Sequence, residues 1–192
     1  EDGKLVWQVE LQGAVVRAAA VAGDVVVAGV MAPSALRAPR IGHVVAVDRA
    51  SGRQVWAKQG QSSVLHSPIA DAATVFYSAV SGYTSSTEMF AVGLRDGAER
   101  WKTRLGGVAD SSPALAGDVL LFGLHDSHFH VVDSRDGRLV QRIPIGAKIF
   151  SSPAVANDRV YFGASDGYLY CLEPENAALT GGPTLAAAES EL

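Results

Sequence analysis

The feature that most constrains this chain is an internal repeat with a period between 40 and 49 residues. A Gly-x-x-x-Trp pattern begins at Gly3, Gly52 and Gly97, and a fourth copy at Gly137 ends in Gln141 instead of tryptophan. The successive glycines lie 49, 45 and 40 residues apart. Self-similarity at such a period is typical of architectures in which each repeat is one supersecondary unit.

Two further markers keep the same spacing. One is a Ser-Pro element, whose intact copies are His66-Ser67-Pro68, Ser111-Ser112-Pro113 and Ser151-Ser152-Pro153. The corresponding residues of the first copy are Arg17-Ala18-Ala19, which have lost the pattern. The other is a turn, which recurs as Gly23-Asp24, Asp71-Ala72, Gly117-Asp118 and Asn157-Asp158. Three markers in one register indicate four copies of one unit.

The segments between the markers are short and rich in β-branched or aromatic residues, as in Val25–Val27, Val44–Val47 and Val160–Phe162. This pattern is typical of strands. No stretch before residue 176 has a helical period. Four strands in each unit predict an all-β chain built of β-propeller blades. A β-sandwich would explain the strands but not the periodic markers.

Three segments resemble the repeat of the quinoprotein-like (PQQ-like) β-propellers: Ala46-x-Asp48-x-x-x-Gly52-x-x-x-Trp56, Asp166–Leu172 and Ser151–Val155. The resemblance covers residues 1–174 and implies four propeller blades. Gly93, Val131 and Gln141 depart from the repeat, which weakens the docking of blades at those points. In such a repeat, Trp7, Trp56 and Trp101 are expected to pack on a glycine of the neighbouring blade, a structural role rather than a ligand cage.

By this resemblance each blade runs from an inner strand A to an outer strand D. The strand order is then D, three times ABCD, and ABC, so the first D strand, Lys4–Glu10, is expected to complete the last blade. A four-bladed ring of one chain and an eight-bladed ring of two chains both satisfy the count, and we favour the homodimer. A third possibility is that this chain is half of a cleaved or truncated larger protein. Residues 175–192 are expected to form a flexible alanine-rich tail, with a short helix over Leu185–Leu192.

Composition narrows the function classes. The net charge of −4 argues against a nucleic-acid partner. A single cysteine, Cys171, excludes an intramolecular disulfide and a cysteine-built zinc site. The most apolar region, Ala14–Ala32, is interrupted by Arg17 and Asp24, so no transmembrane segment is expected.

Candidate binding residues cluster in the D–A and B–C connections, which share one face of a propeller and tolerate insertions. The long loop Met31–Ile41 carries Arg37 and Arg40, and the loop Ser81–Thr87 carries Tyr83. Equivalent positions at the start of strand A are expected to surround the central channel on this face. They are Arg17, His66, Ser111 and Ser151. The alternative is that these polar groups only satisfy backbone ends or bind water.

The histidines offer a metal site as a further alternative. His128 and His130 lie on one face of a C strand by the two-residue period of a strand. Their counterparts in the fourth copy are Tyr168 and Tyr170, which favours a packing role. A zinc or copper site that uses His66, His125 and His128 is the competing interpretation.

We expect a non-enzymatic scaffold or sensor that binds a protein or peptide on the loop-rich face. It would act like the binding propellers of outer-membrane assembly lipoproteins or of receptor sensor domains, and we expect a periplasmic or extracellular compartment rather than the cytoplasm. The alternative is a small-ligand or metal-ion sensor in the central channel. A quinoprotein-type oxidoreductase is the third reading, and it is disfavoured because those enzymes are about three times longer and many use a cysteine pair. No cofactor is expected.

Overall fold

A computed structural model describes residues 3–15, 17–31, 42–59, 66–81, 86–174 and 185–187. Within them the chain forms four sheets, each of four strands. Sheet 1 contains β1 (Ala20–Ala22), β2 (Val25–Met31), β3 (Gly42–Asp48) and β4 (Gln54–Gln59). Sheet 2 contains β5 (Ile69–Ala70), β6 (Thr74–Ser81), β7 (Ser86–Gly93) and β8 (Glu99–Leu105). Sheet 3 contains β9 (Ala114–Ala116), β10 (Val119–Gly123), β11 (His128–Asp133) and β12 (Leu139–Pro144). Sheet 4 contains β13 (Ala154–Ala156), β14 (Arg159–Gly163), β15 (Leu169–Pro174) and β16 (Leu185–Ala187).

Every sheet is an antiparallel meander in which neighbouring strands follow one another along the chain. This confirms the prediction of an all-β chain with four propeller blades. No described segment is a helix long and apolar enough to cross a membrane.

The inner strands are shorter than the sequence indicates. The repeat predicts inner strands over Val15–Ala22, Val64–Ala70, Val108–Leu115 and Ala147–Ala156, but β1, β5, β9 and β13 span only two or three residues. In sheets 2, 3 and 4 the inner strand starts directly after the proline of the Ser-Pro element. Proline has no N–H to donate, so pairing with strand B begins one residue later.

A β-bulge recurs at one place in three sheets, between the C and D strands. The register shifts at Ala46/Val47 in sheet 1, at Ala91/Val92 in sheet 2 and at Val131/Val132 in sheet 3. A bulge bends the strand and re-aims the next side chain. The residue next to the bulge on strand D is Trp56, Trp101 or Gln141.

The core lies between successive sheets. Val44 and Ala46 of sheet 1 pack with Val75 and Tyr77 of sheet 2. The spaces between sheets 2 and 3 and between sheets 3 and 4 hold equivalent clusters of buried apolar residues. Among the described residues, no such cluster joins sheet 4 to sheet 1.

Both ends of the chain depart from the predicted strand plan. The expected first D strand, Lys4–Glu10, is not a strand and pairs with no sheet of the described part. Instead, β16 comes from the predicted tail and pairs with Leu172–Pro174. The prediction of a helix is therefore wrong for Leu185–Ala187. The backbone of these residues satisfies its hydrogen bonds against an open sheet edge, which a local propensity argument does not register.

Candidate functional site

Trp56 and Trp101 join one sheet to the next, and Trp7 docks the N-terminal segment on sheet 1 in the same way. Trp7, Trp56 and Trp101 each donate the indole N–H to a backbone carbonyl of the next sheet, over 2.9, 2.8 and 2.9 Å; the acceptors are Arg49, Leu94 and Ser134. Each ring lies on a glycine with positive φ, at Gly52, Gly97 or Gly137. A Cβ on these glycines would lie only 2.7, 2.9 or 2.5 Å from the ring. The rings and glycines are therefore packing partners, and the indole donors are occupied.

The candidate ring at the start of strand A makes one repeated contact. His66 Nδ1 lies 2.8 Å from Ser78 Oγ on the adjacent B strand. Ser111 Oγ donates to the Gly123 carbonyl over 3.1 Å, and Ser151 Oγ donates to the Gly163 carbonyl over 3.0 Å. In each case the partner lies twelve residues further along the chain. These side chains therefore fasten strand A to strand B within their own sheet.

A second set of serines links one sheet to the next, and we call it the serine ladder. The Ser67 N–H donates to Ser112 Oγ, and the Ser112 N–H donates to Ser152 Oγ, both over 3.0 Å. The equivalent position in sheet 1 is Ala18, which has no hydroxyl group. The ladder thus connects sheets 2, 3 and 4 just before their inner strands begin.

Charged groups converge beside this ring in what we call the polar cluster, formed by Arg17, His66, Asp110 and His125. His125 Nε2 lies 2.8 Å from Asp110 Oδ2, although the ring is not aligned for a hydrogen bond. His66 is 2% exposed. Burial lowers its pKa, Asp110 opposes that shift and Arg17 reinforces it. The exposed ring of Phe150 meets His125 edge-on, with centroids 4.7 Å apart.

Part of the predicted binding face lies outside the described residues. Arg37, Arg40 and Tyr83 belong to this part, so their role stays a prediction. Sequence reasoning named Arg17 and His66 as binding residues but not Asp110, whose charge acts on His66 and whose carboxylate lies 2.8 Å from His125 Nε2. The sequence signal was Asp110-Ser111, where an acidic residue directly precedes a repeat position.

The two histidines of β11 share one aspartate. His130 Nε2 lies 3.1 Å from Asp126 Oδ2, and His128 Nδ1 lies 2.7 Å from the Asp126 carbonyl. His130 is buried and stacks on Phe122 with centroids 5.9 Å apart. Burial lowers its pKa, and Asp126 opposes that shift.

The structure separates the residues of the metal interpretation. His66 and His125 share Asp110, whereas His128 belongs with Asp126. Among the described residues, no group of three or more His, Cys, Asp or Glu side chains is placed to hold a metal ion.

Comparison with known families places the chain. The family model described as outer membrane protein assembly factor BamB (PQQ_2) matches residues 1–108, more than half of the sequence. The chain belongs to this BamB-like family of PQQ repeats. The resemblance to PQQ-like propellers is thereby confirmed. No curated protein matches the sequence.

Solved structures show the same fold at low identity. BamB from Moraxella catarrhalis is 22% identical with a TM-score of 0.70, and the match covers 95% of this BamB-like chain but 52% of that protein. The computationally designed Ika4 protein is 18% identical with a TM-score of 0.68, covering 89% and 98% of the two chains. Quinohemoprotein alcohol dehydrogenase ADHIIG from Pseudomonas putida HK5 is 14% identical with a TM-score of 0.68, covering 97% and 38%. The chain thus spans about half the length of the Moraxella protein.

Proposed function

We propose that this BamB-like chain is a non-enzymatic scaffold that binds a protein or peptide on its D–A and B–C face, as a homodimer. The family match is the observation that carries the proposal, because its description is that of an assembly factor, which must contact other proteins. The same relationship supports a periplasmic or extracellular compartment. Shared fold with an alcohol dehydrogenase supports no chemistry by itself, since one fold hosts many functions.

The chemistry of the channel ring supports binding over catalysis. A nucleophilic serine needs a general base that accepts its proton. Ser111 and Ser151 instead donate their hydroxyl protons to carbonyls of their own sheets. His66 Nδ1 contacts Ser78 Oγ of the adjacent B strand, at the place where the two serines contact their B strands. These groups maintain the rim of the channel on which a partner would rest.

The test is selection of binders from a phage-displayed library of random peptides, followed by binding measurements on charge-reversed variants. The triple substitution Arg17→Glu, Arg37→Glu and Arg40→Glu should raise the dissociation constants of the selected peptides at least tenfold. This is roughly the effect of removing one charged residue from the rim or the hot spot of an interface. The matched control reverses three arginines at the opposite ends of the strands, Arg53→Glu, Arg95→Glu and Arg138→Glu, and it should leave binding unchanged. Equal binding by both variants would contradict this face as the partner site.

A small ligand in the channel is the second candidate, favoured by the polar cluster. Asp110 Oδ2 lies 2.8 Å from His125 Nε2 and acts electrostatically on His66, and the exposed Phe150 ring lies against His125. A few convergent polar groups beside an apolar surface are typical of ligand sites. His125→Ala should abolish binding of such a ligand and leave peptide binding intact, whereas the arginine reversals should do the opposite.

Quinoprotein chemistry is tested separately by titration with pyrroloquinoline quinone and calcium while tryptophan fluorescence is recorded. The scaffold proposal predicts no saturable change. A saturable change at stoichiometric quinone would overturn the non-enzymatic assignment.

A further inference from the structure

Asp110 and His125 depart from the repeat together, at two places that meet in space. The residue directly before the strand-A position is apolar in the other three copies: Val16, Leu65 and Phe150. His125 begins the B–C turn of sheet 3, where the copy 40 residues later has Ser165. Asp110 Oδ2 lies 2.8 Å from His125 Nε2. The packing that the repeat requires does not explain this pair, because the other copies pack without it.

The Asp110 carboxylate accepts no hydrogen bond from the described residues. Its side chain is 48% exposed, and the neighbouring His125 Nε2 is not aligned to donate. A carboxylate forms strong, charge-assisted hydrogen bonds with donors that reach it. Asp110 therefore presents an acceptor to a molecule that arrives from solvent.

The loop that carries Asp110 is held in place from two sides. Thr87, which is fully buried, accepts a hydrogen bond from the Ala109 N–H at its Oγ1 over 2.8 Å. On the other side, the His125 N–H donates to the Val108 carbonyl over 2.9 Å. An acceptor on a fixed backbone loses little freedom when it binds, so the carboxylate is preorganised.

An aromatic ring adjoins the carboxylate. Phe150 is 47% exposed, and its ring centroid lies 4.7 Å from that of His125. Because Asp110 and Phe150 both contact the imidazole of His125, one small molecule can reach both. The preceding residue, Ile149, is fully buried between sheets 3 and 4, so the backbone of Phe150 is fixed as well.

We propose that Asp110, His125 and Phe150 form a cation subsite, which binds a primary ammonium or guanidinium group on a short apolar chain. The cation donates charge-assisted hydrogen bonds to Asp110, and the methylene groups of its chain lie on the Phe150 ring. His125 supports the carboxylate from the side. An anion at the same place would be repelled by Asp110. This inference rests on the second candidate function, a small ligand, and supplies the chemical class of that ligand.

The test compares three ligands with the same five-carbon chain and different charge: pentylamine, 1-pentanol and pentanoate. Each is titrated at pH 7 into the full chain in the presence of a chelator, and the backbone amide signals of Asp110, His125 and Phe150 are followed by NMR. Pentylamine should give saturable shifts with a dissociation constant at least about tenfold below that of pentanol, and pentanoate should give none. Equal binding of the amine and the alcohol would overturn the proposal, because only the apolar chain would then be recognised.

Two substitutions separate the charge from the ring. Asp110→Asn keeps the shape of the side chain and removes its charge, so it should raise the dissociation constant of pentylamine about tenfold or more. The matched control is Asp118→Asn, 71% exposed at the opposite end of sheet 3, which should leave binding unchanged. Phe150→Ala should weaken pentylamine several-fold and leave methylamine unchanged, because methylamine has no chain to lie on the ring. Equal effects of Asp110→Asn and Asp118→Asn would contradict the subsite.

Arg17 separates the ligand from a peptide partner by the sign of its effect. Arg17 and Asp110 both act electrostatically on His66, so the positive charge of Arg17 opposes a second cation. Arg17→Gln should therefore lower the dissociation constant of pentylamine about twofold and raise that of peptides bound by the scaffold. Weaker binding of pentylamine to this variant would contradict a cation beside Asp110.

The same cation also occurs on the lysine and arginine side chains of peptides, and a final arm distinguishes the two sources. Peptides selected on the scaffold are synthesised with each lysine or arginine replaced by norleucine and are measured on the wild type and on Asp110→Asn. Loss of pentylamine binding alone in Asp110→Asn supports a free ligand. If only a peptide lysine or arginine depends on Asp110, the cation subsite is supported and the small-ligand function fails. If neither depends on Asp110, the proposal is overturned, and the scaffold function still stands on its own arginine variants.

Discussion

Sheets 3 and 4 have nearly the same design and different surroundings. Phe129 of β11 is fully buried and stacks on Phe162 with ring centroids 4.4 Å apart, whereas Leu169 at the same place in β15 is 78% exposed. Both C strands also carry a paired ring motif. In sheet 3 the ring centroids of His128 and His130 lie 6.4 Å apart, beside Asp126. In sheet 4 the ring centroids of Tyr168 and Tyr170 also lie 6.4 Å apart, and the Tyr170 hydroxyl donates a hydrogen bond to Asp166.

The comparison teaches that a repeat residue takes its role from what covers it. The His pair of sheet 3 has the geometry of the Tyr pair of sheet 4, with the second ring stacked on a phenylalanine in both cases. Since tyrosine serves the same place, the histidines need no metal to explain their arrangement. Burial on both sides distinguishes sheet 3, and one uncovered side distinguishes sheet 4.

The largest difference is expected between equivalent apolar residues. Phe129→Ala should lower the free energy of unfolding by about 3–5 kcal/mol, because it leaves a cavity between sheets 3 and 4. Leu169→Ala should change it by less than about 0.5 kcal/mol in dilute samples, because the side chain is exposed in the single chain. Urea denaturation at low and high protein concentration measures both. If Leu169→Ala lowers the free energy of unfolding more at high than at low protein concentration, a second copy buries this residue. If Phe129→Ala and Leu169→Ala lower it equally at all concentrations, the expected difference between the two residues is contradicted.

Two glycines separate ring contact from backbone strain. Gly137 and Gly167 have φ values of +75° and +90°, but only Gly137 has a tryptophan ring against its Cα. Both alanine substitutions carry the strain of positive φ, about 1 kcal/mol or more. Gly137→Ala should lower stability by about 1–2 kcal/mol more than Gly167→Ala, because Trp101 must also move. Thermal denaturation of the two variants provides the measurement, and equal losses would deny the glycine its docking role.

The two ring motifs should respond to opposite ends of the pH scale. Burial holds the pKa of His130 below its ordinary value of 6.5, against the pull of Asp126, while Arg142 and His128 act with burial. The unfolded chain therefore gains a proton that folded His130 resists, so stability falls as pH drops below 6.5. The hydrogen bond to Asp166 raises the pKa of Tyr170 to about 12 from 10.0, so its contribution is lost as pH rises between those values.

His130→Tyr converts the motif of sheet 3 into that of sheet 4 and should reduce the acid sensitivity of unfolding. Buried His66, whose pKa is lowered in the same direction, should retain part of it. Urea midpoints from pH 5 to pH 8 test this expectation. If the decrease of the urea midpoint at acid pH is unchanged, His66 alone causes it, and His66→Gln should then remove it.

The smallest effect concerns the A–B turns. In the A–B turn of sheet 3, Gly117 alone has positive φ. In the A–B turn of sheet 4, both Asn157 and Asp158 have positive φ, at 49° and 60°. Two such residues in succession are typical of a type I′ turn, for which Asn-Gly is the preferred pair. Asp158→Gly should raise stability by about 0.4–1 kcal/mol in thermal denaturation. A loss of stability would show that Asp158 makes a compensating contact.

Much of the fold could be predicted because the repeat is a local property. The B and C strands follow from β-branched runs, and the turn glycines mark positions where a side chain would be strained. The inner strands were predicted too long because the effect of a proline on pairing was not applied to its neighbours. Of the candidate site, the A-strand positions were foreseen, and Ser111 and Ser151 agree with the alternative that such groups satisfy backbone atoms, but the contact of His66 with the Ser78 side chain was not foreseen. That outcome depends on side-chain direction, which spacing alone does not define.

The sequence by itself determined the all-β architecture, the number of units and the pairing of tryptophan with glycine, because each depends on residue type at a fixed interval. Only the tertiary structure decided which residues are covered. Leu169 and Phe129 follow the same pattern, yet Leu169 is exposed and Phe129 is buried, because sheet 4 covers Phe129 whereas no sheet of the described residues covers Leu169. Likewise, Lys4–Glu10 has the sequence of an outer strand but forms none, since a strand exists only where another edge lies beside it.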